Sequence, residues 1–226
     1  MGAAAGPDII EDGLVLCLDA GNRASYTGSG TVWNELSNNM SAELVNSPTF
    51  NSQNNGFFQF VSDDYARIPN NTLLDTQTPS VEVWIKTNAT TQLGFWFEKG
   101  TVNSQYSLFQ SNGTLIWRQS IGGSLRDLTI TTSNFINTSN WYQVVGTFTS
   151  GRRRLYVNNN LVNSDTVTGT LGTNTGGMSI GAYGGYTGSK SYYYNGNLAI
   201  CRVYNKELTS TEVLQNYNAT KGRFGL

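Results

Sequence analysis

Short apolar runs recur about every ten residues along this chain, and Gly, Asn, Ser or Pro closes each of them. In order they are GLVLCLD, AELVN, FFQFV, YARIP, SVEVWIKT, GFWFEKG, QYSLFQSN, TLIWRQ, LTITTS, WYQVVGTF, RRLYVNN, GMSIGAY and LAICRVYN. Alternation of apolar and polar side chains within several of them is the period of a strand with one buried face. About a dozen strands exceed what one open sheet carries, so the pattern predicts an all-β sandwich of two packed antiparallel sheets.

Local chemistry places two hairpins. Ser111-Asn112-Gly113-Thr114 puts Asn-Gly, the residues that tolerate a left-handed backbone, at a tight tip. In YQVVGTFTSGRRRLYVNNN, Val144, Gly146 and Phe148 alternate with Val145 and Thr147, and Leu155 and Val157 alternate with Arg154 and Tyr156, around a tip at Ser150-Gly151. Neighbouring side chains on a strand point to opposite faces, so Arg152, Arg153 and Arg154 do not form one basic cluster. They are expected on a solvated strand edge, where charge also resists aggregation.

One helix is predicted, from Thr209 to Thr220. Thr209 and Glu212 make a capping box, Val213, Leu214 and Tyr217 form an apolar face, and Gly222 supplies a stop. It is expected to pack on the sandwich edge. Residues 1–8 lack an apolar pattern and contain Pro7, so they read as an extended arm ahead of a single domain over residues 9–226. The segments Gly21 to Gly30 and Gly184 to Gly196 read as the long loops, where a sandwich usually carries its function.

Composition narrows the partners. Only 13% of residues are charged, 14 Lys and Arg stand against 15 Asp and Glu, and the isoelectric point is about 5.4, so no global field attracts nucleic acid or an anionic membrane. No stretch approaches the roughly 18 to 20 apolar residues that cross a bilayer. MGAAAGPDII has neither a basic start nor an apolar core, so no signal peptide is expected, and Gly6 breaks the myristoylation pattern. Cys17 and Cys201 both fall in apolar runs and read as buried free thiols. A bridge between them needs the first and last strands to pair and an oxidising compartment.

Catalytic chemistry is sparse. The chain has no histidine, which removes the usual general base and the commonest zinc ligand. GGMSIGAYGGYTGSK has neither the phosphate-loop order nor the dinucleotide glycine spacing. A glycosidase needs two carboxyls roughly 5 to 10 Å apart, and the strand SVEVWIKT offers Glu82 alone. Asp63-Asp64 reads as a turn between two strands. No enzyme, no catalytic residue and no metal site is therefore expected.

Two places gather aromatic rings among polar groups, as a sugar-binding surface requires. One is Tyr183, Tyr186, Tyr192, Tyr193 and Tyr194, in and after the glycine-rich loop, with Ser189 and Lys190 beside them. The other is Trp96 with Trp117, Arg118 and Gln119 on neighbouring strands. Glycan contact, protein contact and core packing all remain open for these rings, because alternation sends about half of a strand's aromatics inward.

GLVLCLDAGN, FQFVSDDYARIPN, SVEVWIKT, NWYQVVGTFTSGRRRLYVNNNLV and NGNLAICRVYNKELTSTEVLQNYNATKGRF together resemble the laminin-G-like branch of the concanavalin A-like lectin/glucanase superfamily. The resemblance spans nearly the whole chain and implies a two-sheet jelly roll in which the first and last strands pair. The opening GPDI and the closing KGRF are similar to virion structural proteins of tailed phages, particularly cyanophages. That likeness implies a non-enzymatic capsid decoration or tail-associated protein, made in the host cytoplasm and held in the virion by other virion proteins. It also implies contact with host-surface glycans. A stand-alone carbohydrate-binding module and a degenerate glycoside hydrolase are the alternatives. Many relatives bind a structural calcium through an Asp where this chain has Ala199, so no cofactor is expected and calcium is disfavoured.

Overall fold

The computed structural model describes residues 8–101 and 104–226. Sixteen strands run in chain order as β1 (Leu14–Asp19), β2 (Val32–Asn34), β3 (Ser41–Val45), β4 (Thr49–Asn51), β5 (Phe57–Phe60), β6 (Tyr65–Ile68), β7 (Ser80–Thr87), β8 (Gly94–Lys99), β9 (Tyr106–Ser111), β10 (Thr114–Ile121), β11 (Ser124–Thr131), β12 (Tyr142–Thr149), β13 (Arg152–Val157), β14 (Asn160–Asp165), β15 (Met178–Ile180) and β16 (Gly196–Tyr204), followed by one helix, α1 (Ser210–Thr220). They form two antiparallel sheets, the layers of a jelly-roll sandwich. One has the order β14-β13-β12-β7-β16-β5-β4 with β1 added to β16, and the other β11-β10-β9-β8-β15-β6-β3-β2.

The first and last strands pair, with Cys17 opposite Arg202 and Leu18 opposite Cys201. Alternation then puts the two thiols on opposite faces of one sheet, and both are free and buried. Burial pushes the Cys17 thiol up. The sequence pattern misses β2, β4 and β14, the edge strands of their sheets. An edge strand with no buried face, such as the largely exposed β14, carries no apolar period.

The main core lies between the sheets, where Trp33, Phe58, Phe97, Tyr106, Leu155 and Met178 interdigitate. The hairpin tips fall where expected, since Ser111 pairs Thr114 and Thr149 pairs Arg152. The solvated-edge expectation for the arginines is corrected, because β14 covers β13. Arg152 and Arg154 point outward to Glu207, whereas Arg153 points between the sheets and is only 3% exposed. Its guanidinium meets Asp165 Oδ1 at 2.8 Å, Gln119 Oε1 at 3.1 Å and the Arg126 carbonyl at 2.8 Å.

The capping box of α1 forms as predicted, but the helix lies on the outer face of the first sheet and not on its edge. Asn216 Nδ2 donates to Glu82 Oε2 and to the Tyr204 hydroxyl, both at 2.9 Å, and Tyr217 stacks on Trp84 at 5.9 Å. Leu214, expected in the apolar face, is exposed, and Asn216 takes the buried position. Gly222 does not stop the chain's helical path. A further turn, Lys221–Phe224, packs Phe224 on Trp84 at 4.6 Å, and Gly225 adopts the left-handed backbone that ends it. The expected arm lies outside the described residues except for Asp8, whose carbonyl accepts from Gln215 Nε2 at 2.9 Å. Among the described residues no helix is long and apolar enough to cross a membrane.

Candidate functional site

Helix α1 and the closing turn cover the outer face of the first sheet. The outer face of the second sheet instead carries a small cluster of Phe95, Phe109 and Ile116, with Leu93 and Tyr183 against it. A bulge in β8 creates that cluster. Phe95 pairs Phe109 and Phe97 pairs Leu108, so Trp96 is the extra residue and both Trp96 and Phe97 turn inward. Phe95 is left outside, stacked on Phe109 at 4.2 Å and 4°.

The segment between β15 and β16 folds over this cluster. Its base is a bridge in which Tyr183 N donates to Ser191 O at 2.9 Å. Tyr183 lies 5.1 Å from Phe95 and 5.8 Å from Tyr192, and Tyr192 lies 6.4 Å from Phe95. Tyr192 is 51% exposed and adopts φ 52°, an aromatic residue in the left-handed region that Asn and Gly normally fill. Such strain persists only where surrounding structure imposes it, and it points a large ring into solvent. On the far side of Phe109, the Arg118 guanidinium sits 4.8 Å over the ring and grips Asp127 with two bonds of 2.7 Å.

Glu98 anchors the loop. It is fully buried on β8 and accepts from Gly184 N, from Gly185 N at 3.1 Å and from the Ser104 hydroxyl. Burial outweighs these bonds and pushes its carboxyl up to about 7. Glycine is required at the anchor, since a Cβ on Gly185 would lie 2.1 Å from the Gly100 carbonyl oxygen. Lys190 Nζ closes the loop through the Gly188 carbonyl at 2.9 Å and sits 5.2 Å over Tyr65. Tyr186 lies under Arg67 at 4.8 Å, and Tyr193 lies 6.4 Å from Tyr65.

The structure therefore joins Tyr183, Tyr192 and Arg118 in one face and sets Tyr186 and Tyr193 on its flank. It corrects three other candidates. Trp96, Trp117 and Tyr194 are fully buried in the main core, so none has a ring free for a ligand. Tyr194 packs edge-on to Trp96 at 6.3 Å. Gln119 is also buried, turned inward to Arg153. Sequence reasoning missed Phe95, Phe109 and Glu98. The signal for the first was available: three consecutive aromatics in GFWFEK must leave at least one on the outer face of a strand.

Two other buried carboxylates, Glu82 and Asp64, have structural roles. Glu82 is fully buried beneath α1 and accepts from Trp84 Nε1, Gln143 Nε2, Arg202 Nη1 and Asn216 Nδ2 at 2.9 to 3.0 Å. Asp64 accepts from Val61 N at 3.1 Å within the turn before β6. Ala199 is buried under the closing turn and its side chain offers no ligating oxygen, and among the described residues no group of three or more Asp, Glu or Cys is placed to hold a metal ion.

The model of the family described as the concanavalin A-like lectin/glucanases superfamily matches residues 60–214. No curated protein matches the chain. Among solved structures, the botulinum neurotoxin serotype D binding domain superposes with a TM-score of 0.68 at 18% identity, over 92% of this chain and 52% of that one. The binding domain of Paraclostridial Mosquitocidal Protein 1 gives 0.71 at 15%, over 92% and 52%. The binding domain of botulinum neurotoxin DC, solved in complex with SialylT, gives 0.73 at 14%, over 93% and 52%. This chain thus spans about half the length of each, and the likeness is one of fold.

Proposed function

We propose that this chain, which belongs to the concanavalin A-like lectin/glucanase superfamily, is a non-enzymatic binding protein whose contact face is the tyrosine loop on the outer side of the second sheet. The observation that carries the proposal is Tyr192, half exposed on a left-handed backbone and backed by Tyr183 and Phe95. Sugars present apolar C–H faces to aromatic rings and hydroxyls to charged groups, and the Arg118–Asp127 pair provides both a donor and an acceptor beside the rings. The superposed neighbours are receptor- or ligand-binding domains by their descriptions, which supports a binding role. Hydrolysis lacks support. It needs two carboxyls about 5 to 10 Å apart across an open cleft, whereas Glu82 and Glu98 are fully buried on different sheets.

The test is glycan-array binding with Tyr192→Ala beside the native protein. Because the ring is half exposed, the variant should keep its thermal midpoint and lose at least about tenfold in affinity, equal to about 1.4 kcal/mol. Unchanged binding by a folded variant overturns the assignment of the face.

The biological setting we propose is the virion of a tailed phage, with the protein as a capsid decoration or tail-associated component that presents this face to host-surface glycans. The sequence resemblance supports that setting. Mass spectrometry of purified particles should detect the chain at stoichiometric level, and its absence from particles refutes the setting while leaving the binding face to the array.

A further inference from the structure

A cleft of about 600 Å³ opens on the side of the sandwich away from the tyrosine loop, where the turn after β1 meets the end of α1. Arg23, Arg202 and Arg223 line it, with the amides of Asn22, Asn55 and Asn218 around the rim. Three guanidiniums brought together from residues 23, 202 and 223 are a product of the fold, since β1 and β16 pair and the closing turn packs beside them.

Each arginine is held differently. Arg223 is clamped: Nη1 donates to Asp19 Oδ1 at 2.6 Å, Nε to the Asn54 carbonyl at 2.5 Å, and Nη2 to the Gly56 carbonyl. Backbone packs directly on it, because a Cβ on Gly21 would lie 2.7 Å from its Cζ. The Arg202 side chain is only 4% exposed, and Nη1 donates to Glu82 Oε1 at 2.9 Å. Its Nε is buried, and the guanidinium also faces the Cys17 thiol on the paired strand. Arg23 is exposed and makes no ion pair with the described residues.

The charges decide the ligand. Asp19 is engaged by Arg223 and Glu82 by Arg202, so three cations face two neutralised carboxylates. One positive charge is left over. The last turn of α1 also lines the cleft and brings the negative end of the helix with it. A bare anion meets that end unfavourably. A molecule with an acidic group for the guanidiniums and hydroxyls for carbonyls and amides satisfies both sides. We propose that this cleft is a second ligand site, independent of the tyrosine loop, that binds an acidic saccharide, with Arg23 and Arg202 on its acidic group and the asparagine amides on its hydroxyls.

The experiment is titration of the native protein with glucuronate, glucose and inorganic sulfate, followed by calorimetry and by backbone amide shifts. Glucuronate should bind saturably and shift residues 19–23 and 218–223, while glucose should not. Arg23→Gln leaves no buried partner stranded, so it should fold normally and bind glucuronate about tenfold more weakly. Tyr192→Ala should bind it as the native protein does, which separates this site from the tyrosine face. No saturable glucuronate binding, or equal binding by Arg23→Gln, overturns the site. Sulfate bound as tightly as glucuronate, or glucose bound as well, overturns the acidic-saccharide assignment.

Discussion

The indole of Trp117 in β10 fills the space that a side chain on Gly146 of β12 would need: a Cβ there would sit 2.4 Å from Trp117 Cδ2, and Trp117 Nε1 donates to the Thr147 carbonyl at 3.0 Å. The two residues belong to different sheets, so the contact sets the spacing of the sandwich at that point. It also accounts for why Trp117 has no ring to offer a ligand.

Gly146→Ala should therefore overpack the core. The added methyl meets a ring that is itself fixed by a buried hydrogen bond, and insertions of this kind destabilise by about 1 to 3 kcal/mol. Urea unfolding followed by tryptophan fluorescence should show a lower midpoint with an unchanged slope. A midpoint equal to that of the native protein would show that the sheets separate freely.

The arginine triplet should divide sharply by position. Arg153→Met leaves the exposed Asp165 to solvent but strands the buried Gln119 amide oxygen and two backbone carbonyls, and buried acceptors left unmet cost about 1 to 3 kcal/mol. Arg152→Met removes only an exposed partner of Glu207, and exposed pairs contribute about 0 to 1 kcal/mol. Chemical denaturation of the two variants side by side reads the contrast.

Glu98 should make stability fall as pH rises. Its carboxyl is pushed up to about 7 in the folded protein from an ordinary 4.5, mainly by burial. The folded state thus holds the proton more tightly than the unfolded state between those values, and stability from this group is lost as pH climbs through about 7. A shift of that size corresponds to about 3 kcal/mol. Glu98→Gln keeps an acceptor for Gly184 and Gly185 and carries no charge. Its thermal midpoint should exceed that of the native protein above pH 7 and converge with it toward pH 5.

The attachment of α1 rests on one amide more than on its cap. Asn216→Ala leaves Glu82 Oε2, the Tyr204 hydroxyl and Ile10 N without their partner, a loss of about 1 to 3 kcal/mol. Thr209→Ala removes the cap alone and should cost about 1 kcal/mol. Hydrogen exchange of the helix amides distinguishes the two, with faster exchange over the whole helix expected for Asn216→Ala.

Much of the fold was legible in the chain because its causes are local. Short apolar runs closed by turn residues placed thirteen strands, Asn112-Gly113 and Ser150-Gly151 placed two hairpin tips, and Thr209 with Glu212 placed the helix start. What is decided by neighbours distant in sequence was not legible. The period of a strand says that successive side chains face opposite ways, but not which face is covered, so Arg153 went inward and Arg152 outward only once β14 and the second sheet were in place. The bulge at Trp96 turned two consecutive aromatics inward, which alternation alone forbids. Of the ligand candidates, Tyr192 and Tyr183 kept solvent access because the loop folds over Phe95, while Tyr194, two residues on from Tyr192, entered the core. Burial is a property of the packed pair of sheets, and a chain met one residue at a time carries the alternation that permits it without the partner surface that decides it.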